Sequence, residues 1–402
     1  MKYIVVLADG MADVPIDELG GKTPLEYAKT PCMDELAARG TIGMVKTVPD
    51  GMKPGSDVAN LAVMGYNPQA CYSGRSPLEA LSVGVSMKET DVVFRCNIVT
   101  LTEDEPYEEK VILDHSSGEI SSEDAAVLMD AVREAFQNDQ FCFYNGTSYR
   151  HITIWDKGEI LELEAPHDHL GQVIGQFLPE NKLFFDMMKK SFDVLNNHPL
   201  NIQRAKDGKN KANSLWFWGA GTKPSLQNFR EKTGLSGTMI SAVDLLKGIA
   251  YGSGMDVVNV EGATGSLETN YLGKANAAIK ALLEDGKDFV YIHVEAPDEM
   301  GHQGNLHHKV ESIEYIDEKI VAVVKKALDD AHEDYRILVL PDHPTPIHLR
   351  THTSDPVPYV LFDSTCANNG AAIFSEKNAM QSGIFCEDGY RLLEMFINRE
   401  DK

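Results

Sequence analysis

Short apolar runs alternate with amphipathic stretches near both ends of the chain. Tyr3–Ala8, Phe289–Val294 and Arg336–Leu340 are almost continuous apolar runs of strand length. Runs of this kind, rich in Val and Ile, favour strands that are buried on both faces of a parallel sheet. Pro31–Arg39 and Val310–Leu328 repeat apolar residues at helical spacing. Because strands alternate with helices, the pattern predicts an α/β fold in which a mainly parallel sheet is flanked by helices.

The middle of the chain has a different pattern. Val92–Leu101 and Phe141–Asp156 read as strands, and Asn145-Gly146 splits the second of them into a hairpin. Ser121–Gln137 opens with serine and acidic residues, as the capped N-terminus of a helix does. The polar and basic stretch 196–213 reads as a connector. This mixture predicts a smaller α+β domain inserted into the α/β fold.

The chain is long enough for two domains. With 402 residues it exceeds the size of one ordinary core, so a core with an insertion is the favoured organisation. We predict that residues 74–205 form the inserted domain. Residues 1–73 and 206–402 then form a discontinuous core domain, which resumes near Trp216.

The charge balance narrows the range of partners. The formal net charge is −24, whereas a nucleic-acid-binding protein is expected to present a basic face. Nucleic acid is therefore excluded as a partner. A small anionic substrate remains compatible, because metal ions and arginines inside a cleft outweigh the global field.

The cysteines and the N-terminal segment indicate the cellular compartment of the protein. The six cysteines are widely spaced and form no C-x-x-C pair, which is typical of free thiols in a reducing compartment. The opening apolar run is too short for a signal peptide and is interrupted by Asp9, and no apolar stretch reaches membrane-spanning length. We therefore expect a cytoplasmic protein without a membrane partner. The sequence leaves a monomer and a small homo-oligomer equally open.

Acidic residues and histidines cluster near the C-terminus. Asp298 and His302 form a D-x-x-x-H pair, Asp342 and His343 are adjacent, and His352 follows shortly after. Of the 13 histidines in the chain, eight lie between residues 293 and 352. Asp and His together suit a divalent ion such as zinc or manganese. Five ligand-type residues exceed the needs of one ion, and two neighbouring ions suit phosphoryl chemistry.

Three aspartates share one predicted position in the fold. Asp9, Asp298 and Asp342 all follow the carboxyl end of a predicted strand. Ligands of parallel α/β sheets gather outside these ends. We therefore predict one common site, although each motif alone is compatible with an ordinary polar turn.

Ser56 is the candidate nucleophile. It lies in the segment Pro54-Gly55-Ser56-Asp57, just before the helical stretch Val58–Tyr66. A helix N-terminus favours a phosphate group and an ionised serine oxygen, and a bound metal activates the hydroxyl further. The alternative is that Ser56 only caps the helix, which is the commoner role of serine at this position.

The predicted insert and the long helix supply candidate substrate-binding groups. Arginine suits two-pronged contacts to carboxylate and phosphate, while a surface ion pair is the alternative for each residue. The candidates are Arg75, Arg95, Arg150 with His151, the pair His167 and Asp168, and Lys309.

The motifs taken together resemble a known family. The segments YIVVLADGMAD, PGSDVANLAVMGY, SGRSPLEA, SYRHI, PHD, EGATG, PDEMGH, PDHPTP and THTSDPVP occur in order over nearly the whole chain. In this respect the chain is similar to the cofactor-independent phosphoglycerate mutases of the archaeal type. That family belongs to the alkaline phosphatase superfamily of two-metal phosphotransferases, so the resemblance implies an alkaline-phosphatase-like core.

The resemblance also implies roles for the matching residues. It implies two divalent metal ions, Mn²⁺ or Zn²⁺, with Mg²⁺ or Co²⁺ as alternatives. One ion would be held by Asp9, Ser56, Asp342 and His343, and the other by Asp298, His302 and His352. Ser56 would carry the phosphoryl group as phosphoserine while 3-phosphoglycerate and 2-phosphoglycerate interconvert. The inserted domain would close over the site and hold the glycerate, with Arg150, His167 and Asp168 in catalytic roles.

Two alternative functions remain open. A bacterial branch of the same family has been proposed to act as a homoserine kinase, and the metal motifs do not separate the two activities. Gly20-Gly21-Lys22-Thr23 lacks the glycine spacing of a phosphate-binding loop, so no standard nucleotide site is visible. A non-catalytic metal-binding protein is the alternative from another class, and the intact Ser56 argues against it.

Overall fold

The computed structural model of the chain describes residues 1–366 and 370–398. The chain divides into two compact units. The first unit comprises Met1–Tyr72 and Ser225–Lys402, and the second unit is Ser73–Pro224. Residues 367–369 and 399–402, which belong to the predicted core domain, lie outside the described residues.

The elements of the described residues are numbered in chain order. The strands are β1 (Lys2–Ala8), β2 (Thr41–Val45), β3 (Asp91–Leu101), β4 (Ile112–Asp114), β5 (Phe141–Tyr144), β6 (Arg150–Asp156), β7 (Ser214–Thr222), β8 (Gly237–Ile240), β9 (Asp256–Val258), β10 (Phe289–Val294), β11 (Tyr335–Leu340), β12 (Val357–Asp363) and β13 (Phe385–Cys386). The α-helices are α1 (Pro24–Tyr27), α2 (Pro31–Arg39), α3 (Ser56–Val63), α4 (Pro68–Cys71), α5 (Arg75–Ser82), α6 (Ser122–Phe136), α7 (Lys182–Asn196), α8 (Pro199–Lys206), α9 (Phe229–Thr233), α10 (Asp244–Gly252), α11 (Tyr271–Leu283), α12 (Ala296–Gln303), α13 (Leu306–Ile316), α14 (Ala322–Asp330), α15 (Glu376–Gln381) and α16 (Leu392–Ile397). Single turns of 3-10 helix lie at Asp17–Leu19, Tyr107–Glu109, Pro166–His169, Ile174–Phe177 and Gly389–Arg391, and a π-helical segment lies at Asp317–Val321. None of the helices in the described residues has both the length and the apolar character needed to cross a bilayer.

The first unit is built on a mainly parallel sheet. Its strand order is β13-β2-β12-β11-β1-β10-β8-β9, and only β12 among these strands runs antiparallel to its neighbours. The predicted α/β class is therefore confirmed. Strands β1, β10 and β11 lie side by side in the middle of the sheet. Their residues are buried almost throughout, which explains why these segments read as continuous apolar runs.

The register of the central strands aligns their carboxyl ends. Ala8 pairs with Val294, and Leu7 pairs with Leu340. The residues that follow β1, β10 and β11 therefore leave the sheet at the same edge. This edge is where the candidate ligands of the first unit meet.

The predicted long helix is interrupted. The helical stretch begins with α13, passes through the π-helical segment and ends with α14, rather than running as one regular helix. Asp317 opens the π-helical segment, and its carboxylate accepts the N–H groups of Cys32 and Met33 at the start of α2. These contacts satisfy two N–H groups that the first turn of α2 leaves without helical partners.

The second unit is built on an antiparallel sheet. Strand β3 pairs with β4, β6 and β7, and β5 pairs with β6. The predicted hairpin is confirmed as the pair β5 and β6, with residues 145–149 between them. Helices α6 and α7 contribute buried residues such as Leu128 and Phe184 to the apolar core of this unit.

The C-terminal limit of the second unit lies at Pro224 rather than at residue 205. Strand β7 pairs along most of β3, with Asn97 opposite Trp216. Trp216, where the core domain was expected to resume, is thus part of the second unit. This pairing joins residues that are far apart in the sequence, so local sequence patterns do not predict it.

The stretch 196–213 is structured rather than a simple connector. It contains α8, and Asn201 on this helix is fully buried. The Asn201 side chain donates to the carbonyls of Leu195 and Ala212, both at 2.8 Å, and accepts the N–H of Ala212 at 2.9 Å. It therefore ties α8 to the end of α7 and to the strand that follows.

We predict that Asn201→Ala destabilises the second unit. The substitution removes three buried hydrogen bonds and leaves backbone groups without partners, so we expect a loss of about 3 kcal/mol in the free energy of unfolding. Gln203 is exposed on the same helix, so Gln203→Ala should change it by less than about 0.5 kcal/mol. Urea unfolding of both variants checks this, and equal losses would contradict the structural role of Asn201.

Candidate active site

Asp9 is placed at the sheet edge by a loop that only glycine permits. It follows β1 directly, and Gly10 has a φ of 63°, in the left-handed region. A Cβ on Gly10 would lie 2.6 Å from both Asp298 Oδ1 and Thr345 Oγ1. Gly10 therefore lets the loops that follow β1, β10 and β11 approach each other closely.

Asp342 and His343 follow β11 and are completely buried. Asp342 Oδ1 accepts the N–H groups of Gly10 (3.1 Å) and His343 (2.9 Å), and its Oδ2 accepts Asn60 Nδ2 at 2.8 Å. The carboxylate is therefore held in one orientation by donors from three segments.

The segment after β10 is the helix α12. Asp298 lies in the first turn of α12 and His302 lies four residues later, so both side chains share one helix face. His302 Nε2 lies 3.2 Å from Asp298 Oδ2, and His352 Nε2 lies 3.4 Å from Asp298 Oδ1. The Nε2 atoms of His302 and His352 are 2.9 Å apart. These three residues form one compact group.

His343 belongs to both candidate ligand groups. Asp9, Asp342 and His343 offer ligand atoms within 4.8 Å of one another, and so do Asp298, His343 and His352. The imidazole of His343 stacks on that of His352 with 3.9 Å between the ring centroids. All seven residues predicted as metal ligands are thus brought to one site, although the geometry links His343 to both groups rather than to one.

Ser56 lies at the site and does not cap its helix. It is the first residue of α3, and no side chain caps that helix end. Ser56 Oγ instead lies 3.3 Å from Asp9 Oδ2 and 3.2 Å from His343 Nε2. The capping alternative is therefore wrong, and the hydroxyl points to the candidate ligands.

The pKa values of several side chains at the site differ strongly from those of the free side chains. Burial raises the pKa of Asp9 well above its usual range, and the negative charges of Asp342 and Asp298 add to the effect. Burial opposes the ionisation of Asp298 as well, yet hydrogen bonds to His302 and His352 hold its pKa well below the usual range. The bond to Asp298 raises the pKa of His302 to about 9, whereas burial lowers the pKa of His343.

This donor set fits divalent cations. Three carboxylates are buried close together, so their mutual repulsion is relieved by positive charge. Asp9 Oδ1 is buried and has no hydrogen-bond partner among the described residues, as expected for an atom that faces a metal ion. Asp and neutral His ligands suit zinc and manganese.

Several supporting residues escaped the sequence analysis. Asn60, Tyr291 and His293 are buried beside the ligands, and Thr345 Oγ1 donates to Asp298. Burial lowers the pKa of His293 to about 3, so its imidazole is neutral. The only available signal was a histidine within an otherwise apolar strand.

In the second unit, two of the predicted arginines, Arg75 and Arg95, meet at Glu79. Arg95 makes two hydrogen bonds of 2.7 Å to the Glu79 carboxylate, and its guanidinium lies 4.4 Å from the ring centre of Trp218. Arg75 Nε lies 3.0 Å from Glu79 Oε1, while about half of its side chain stays exposed. The Arg150 guanidinium lies 5.0 Å from the ring centre of Tyr149, and that ring contacts the imidazole of His115 at 5.5 Å.

His167 lies beside this arginine group. Its imidazole contacts the ring of Trp218 at 5.2 Å and that of His115 at 6.0 Å, and its Nε2 lies 3.7 Å from Asp168 Oδ1. Burial lowers the pKa of His167, with Asp168 opposing. His115 was not predicted. The second unit therefore presents a cationic and aromatic cluster formed by Arg75, Arg95, Arg150, His115, His167 and Trp218.

Two predicted substrate-binding residues are placed elsewhere. Lys309 is completely buried, and its ammonium contacts Asp13 Oδ2 at 2.9 Å and the Thr345 carbonyl at 2.8 Å. It therefore connects the loop that carries Asp13 to the loop that carries Thr345, and it does not face a phosphate. His151 is also buried, accepts the N–H of Gly146 at 3.3 Å, and has its pKa lowered to about 3 by burial. It stabilises the β5–β6 turn rather than meeting a substrate.

Comparison with known proteins identifies the family. Residues 37–201 match the family model of 2,3-bisphosphoglycerate-independent phosphoglycerate mutase. A Methanosarcina barkeri protein of that name is 49% identical over 391 residues, covering 96% of both chains. A Geobacter sulfurreducens protein, named "Probable 2,3-bisphosphoglycerate-independent phosphoglycerate mutase", is 49% identical over 405 residues, covering 99% of this chain and 100% of that one.

The chain belongs to the 2,3-bisphosphoglycerate-independent phosphoglycerate mutase family. The resemblance inferred from the motifs is thereby confirmed. Among solved structures, the cofactor-independent phosphoglycerate mutase of Thermoplasma acidophilum is 25% identical and covers 99% of each chain, with a TM-score of 0.67. The family model spans Ser56 and the candidate residues from Arg75 to Asp168, while the full-length relatives also cover the segment from Asp298 to His352.

We predict that divalent cations bind this site more tightly as pH rises. In the metal-free protein the raised pKa of about 9 keeps His302 protonated at neutral pH, and a cation can use its imidazole only by displacing that proton. Between pH 6.5 and 9 we therefore expect the Mn²⁺ affinity to increase by up to about tenfold per pH unit. Calorimetric titration at several pH values measures this slope.

A matched pair of variants tests the assignment to His302. His302→Asn should flatten the slope, whereas His348→Asn, which changes an exposed histidine of the same region, should leave it unchanged. An identical slope in both variants would contradict the role of His302.

Proposed function

We propose that this chain interconverts 3-phosphoglycerate and 2-phosphoglycerate without a bisphosphoglycerate cofactor, through a phosphoserine at Ser56. One observation carries the proposal. The Ser56 hydroxyl lies at the first residue of α3, between Asp9 and His343, within the two ligand groups that share His343. The names of the relatives supply the substrate.

Two divalent cations are proposed at the site, Mn²⁺ or Zn²⁺ before Mg²⁺ or Co²⁺. Asp9, Ser56, Asp342 and His343 would hold one, and Asp298, His302 and His352 the other. The buried partnerless oxygen of Asp9 and the concentration of buried carboxylates support this assignment. When bound, such cations neutralise charge on the phosphoryl oxygens and favour the ionised form of a serine hydroxyl.

Ser56 would be the nucleophile. Its hydroxyl can donate to Asp9 Oδ2 or His343 Nε2, which leaves an oxygen lone pair free for phosphorus. The N–H groups at the start of α3 favour negative charge on this oxygen. A bond forms between Ser56 Oγ and phosphorus while the bond between phosphorus and the substrate oxygen breaks. The serine proton is balanced by the proton that the departing glycerate hydroxyl gains.

The return step uses the other hydroxyl of the glycerate. That hydroxyl attacks the phosphoserine, loses its proton, and releases Ser56 in its original form. Because the phosphoryl group only changes position, neither a nucleotide nor a second phosphate donor is consumed. The scheme is therefore an isomerisation of one substrate.

The cationic and aromatic cluster of the second unit is proposed to recognise the anionic substrate. Arg75 and Arg150 are exposed residues, and a guanidinium suits carboxylate or phosphate. Arg95 is held in place by Glu79 and Trp218. His167, with Asp168 beside it, is the proposed group that takes and returns the glycerate proton.

The homoserine kinase alternative differs in its need for a phosphate donor. The relatives compared above carry the mutase name, and neither of the two is named a kinase. The alternative of a non-catalytic metal-binding protein does not explain why the Ser56 hydroxyl points to the candidate ligands. Phosphoglycerate mutase activity is therefore the function that we propose.

The proposal is tested by phosphorus NMR of the Mn²⁺-loaded protein with 3-phosphoglycerate, without bisphosphoglycerate or nucleotide. We expect a 2-phosphoglycerate signal to grow until the two isomers reach equilibrium, and to stop growing after chelation. Release of inorganic phosphate alone would indicate a phosphatase. No reaction until homoserine and ATP are added would favour the kinase.

The covalent step is tested in the same assay with Ser56→Ala. We expect turnover to fall by at least about a thousandfold, because the nucleophile is lost. Ser382→Ala is the control, since its hydroxyl bonds only to backbone groups at the end of α15. Normal turnover in Ser56→Ala would exclude a phosphoserine at this position.

A further inference from the structure

Strand β10 carries two polar side chains towards the candidate cation site. Tyr291 and His293 lie two residues apart, so they leave the same face of the strand. Both are completely buried. Val290 and Ile292, which alternate with them, belong to the apolar core of the first unit. The strand therefore has one face devoted to packing and one face that carries hydrogen-bonding groups.

His293 fixes the carboxylate of Asp9. Its Nε2 lies 2.8 Å from Asp9 Oδ2, and its Nδ1 lies 3.1 Å from Ser241 Oγ. Ser241 Oγ accepts the N–H of Val243 and can donate its own proton to Nδ1. An ionised Asp9 carboxylate can only accept, so it favours the neutral imidazole that carries its single proton on Nε2 and donates it to Asp9. The Asp9 carboxylate therefore selects the tautomer, and the Ser241 hydroxyl is compatible with it at Nδ1.

This contact decides which oxygen of Asp9 is left for a cation. Oδ2 is used by His293 and by Ser56, while Oδ1 is buried without a partner and lies 3.6 Å from His343 Nε2. The two oxygens of one carboxylate thus have separate tasks. Rotation of the carboxylate would break the bond to His293.

Tyr291 fixes the second carboxylate through Asn60. The Tyr291 hydroxyl donates to Asn60 Oδ1 at 2.7 Å, which fixes the orientation of the amide. Asn60 Nδ2 then donates to Asp342 Oδ2 and to the carbonyl of Ser56, both at 2.8 Å. One amide therefore connects a candidate ligand to the residue that bears the nucleophile.

We infer that Tyr291 and His293 are positioning residues that orient Asp342 and Asp9 for one cation and set the distance of Ser56 from it. The inference rests on the proposed function, because it assumes that these aspartates hold a cation. Outer hydrogen-bond partners of metal ligands raise metal affinity by fixing ligand orientation. Both residues act through another side chain and touch no substrate.

The test uses metal binding as well as turnover. His293→Phe keeps a ring of similar size but removes the donor, and Tyr291→Phe removes a single hydroxyl. We expect each variant to weaken one of two Mn²⁺-binding steps by about 10- to 100-fold in calorimetric titration, and to leave the other step unchanged. At saturating Mn²⁺ we expect kcat to fall while the KM for 3-phosphoglycerate stays the same.

Two further variants separate positioning from a merely structural role. His293→Gln places an amide N–H near the position of Nε2, so the affinity should return close to the wild-type value. Ile292→Val disturbs the opposite face of the same strand and should leave both binding steps unchanged. Tyr291→Phe keeps the inference testable if His293→Phe does not fold, because it changes only one atom.

Each outcome is decisive. Weakened binding in both Phe variants with recovery in His293→Gln supports the inference. Wild-type affinity in Tyr291→Phe and His293→Phe, with only a lower melting temperature, overturns it and leaves the proposed function standing. Absence of binding of Mn²⁺, Zn²⁺, Mg²⁺ and Co²⁺ alike in the wild-type chain overturns both, so the two failures are distinguishable.

Discussion

The site depends on one electrostatic constraint, which is the burial of Asp9, Asp298 and Asp342 within a small space beside His343. The parallel register of the central strands brings the segments that carry these residues to the same edge of the sheet. Burial raises the pKa of Asp9, and repulsion from the negative charges of Asp342 and Asp298 raises it further. Positive charge relieves this repulsion, so the clustering of carboxylates by the fold favours the binding of cations.

The two units are specialised in different ways. The first unit supplies a rigid parallel sheet whose edge holds acidic ligands and a serine hydroxyl. The second unit is an antiparallel sheet that carries arginines and aromatic rings, and Glu79 and Trp218 hold Arg95 in place between them. The candidate cation ligands of the first unit thus include three carboxylates, whereas the second unit groups basic residues that suit an anionic substrate.

The positions of the candidate ligands could be predicted from the sequence because they follow apolar runs. Asp9 and Asp342 are polar residues that come after buried strands, and Ser56 lies at the start of a clear helix. Supporting residues such as His293 could not be predicted. The role of a polar side chain inside a strand depends on the residue that it contacts, and the sequence does not show that residue. Lys309 was misjudged for the same reason, because its partner Asp13 lies almost three hundred positions earlier in the chain. The limit at Pro224 also depends on a distant strand pairing.

We propose that the imidazole of His343 lies between two cation sites. Anomalous X-ray diffraction from crystals grown with Mn²⁺ is the decisive measurement, because it locates each ion independently of activity. We expect two peaks, one beside Asp9 and Asp342 and the other beside Asp298 and His352, with His343 adjacent to both. A single peak, or two peaks away from His343, would contradict it.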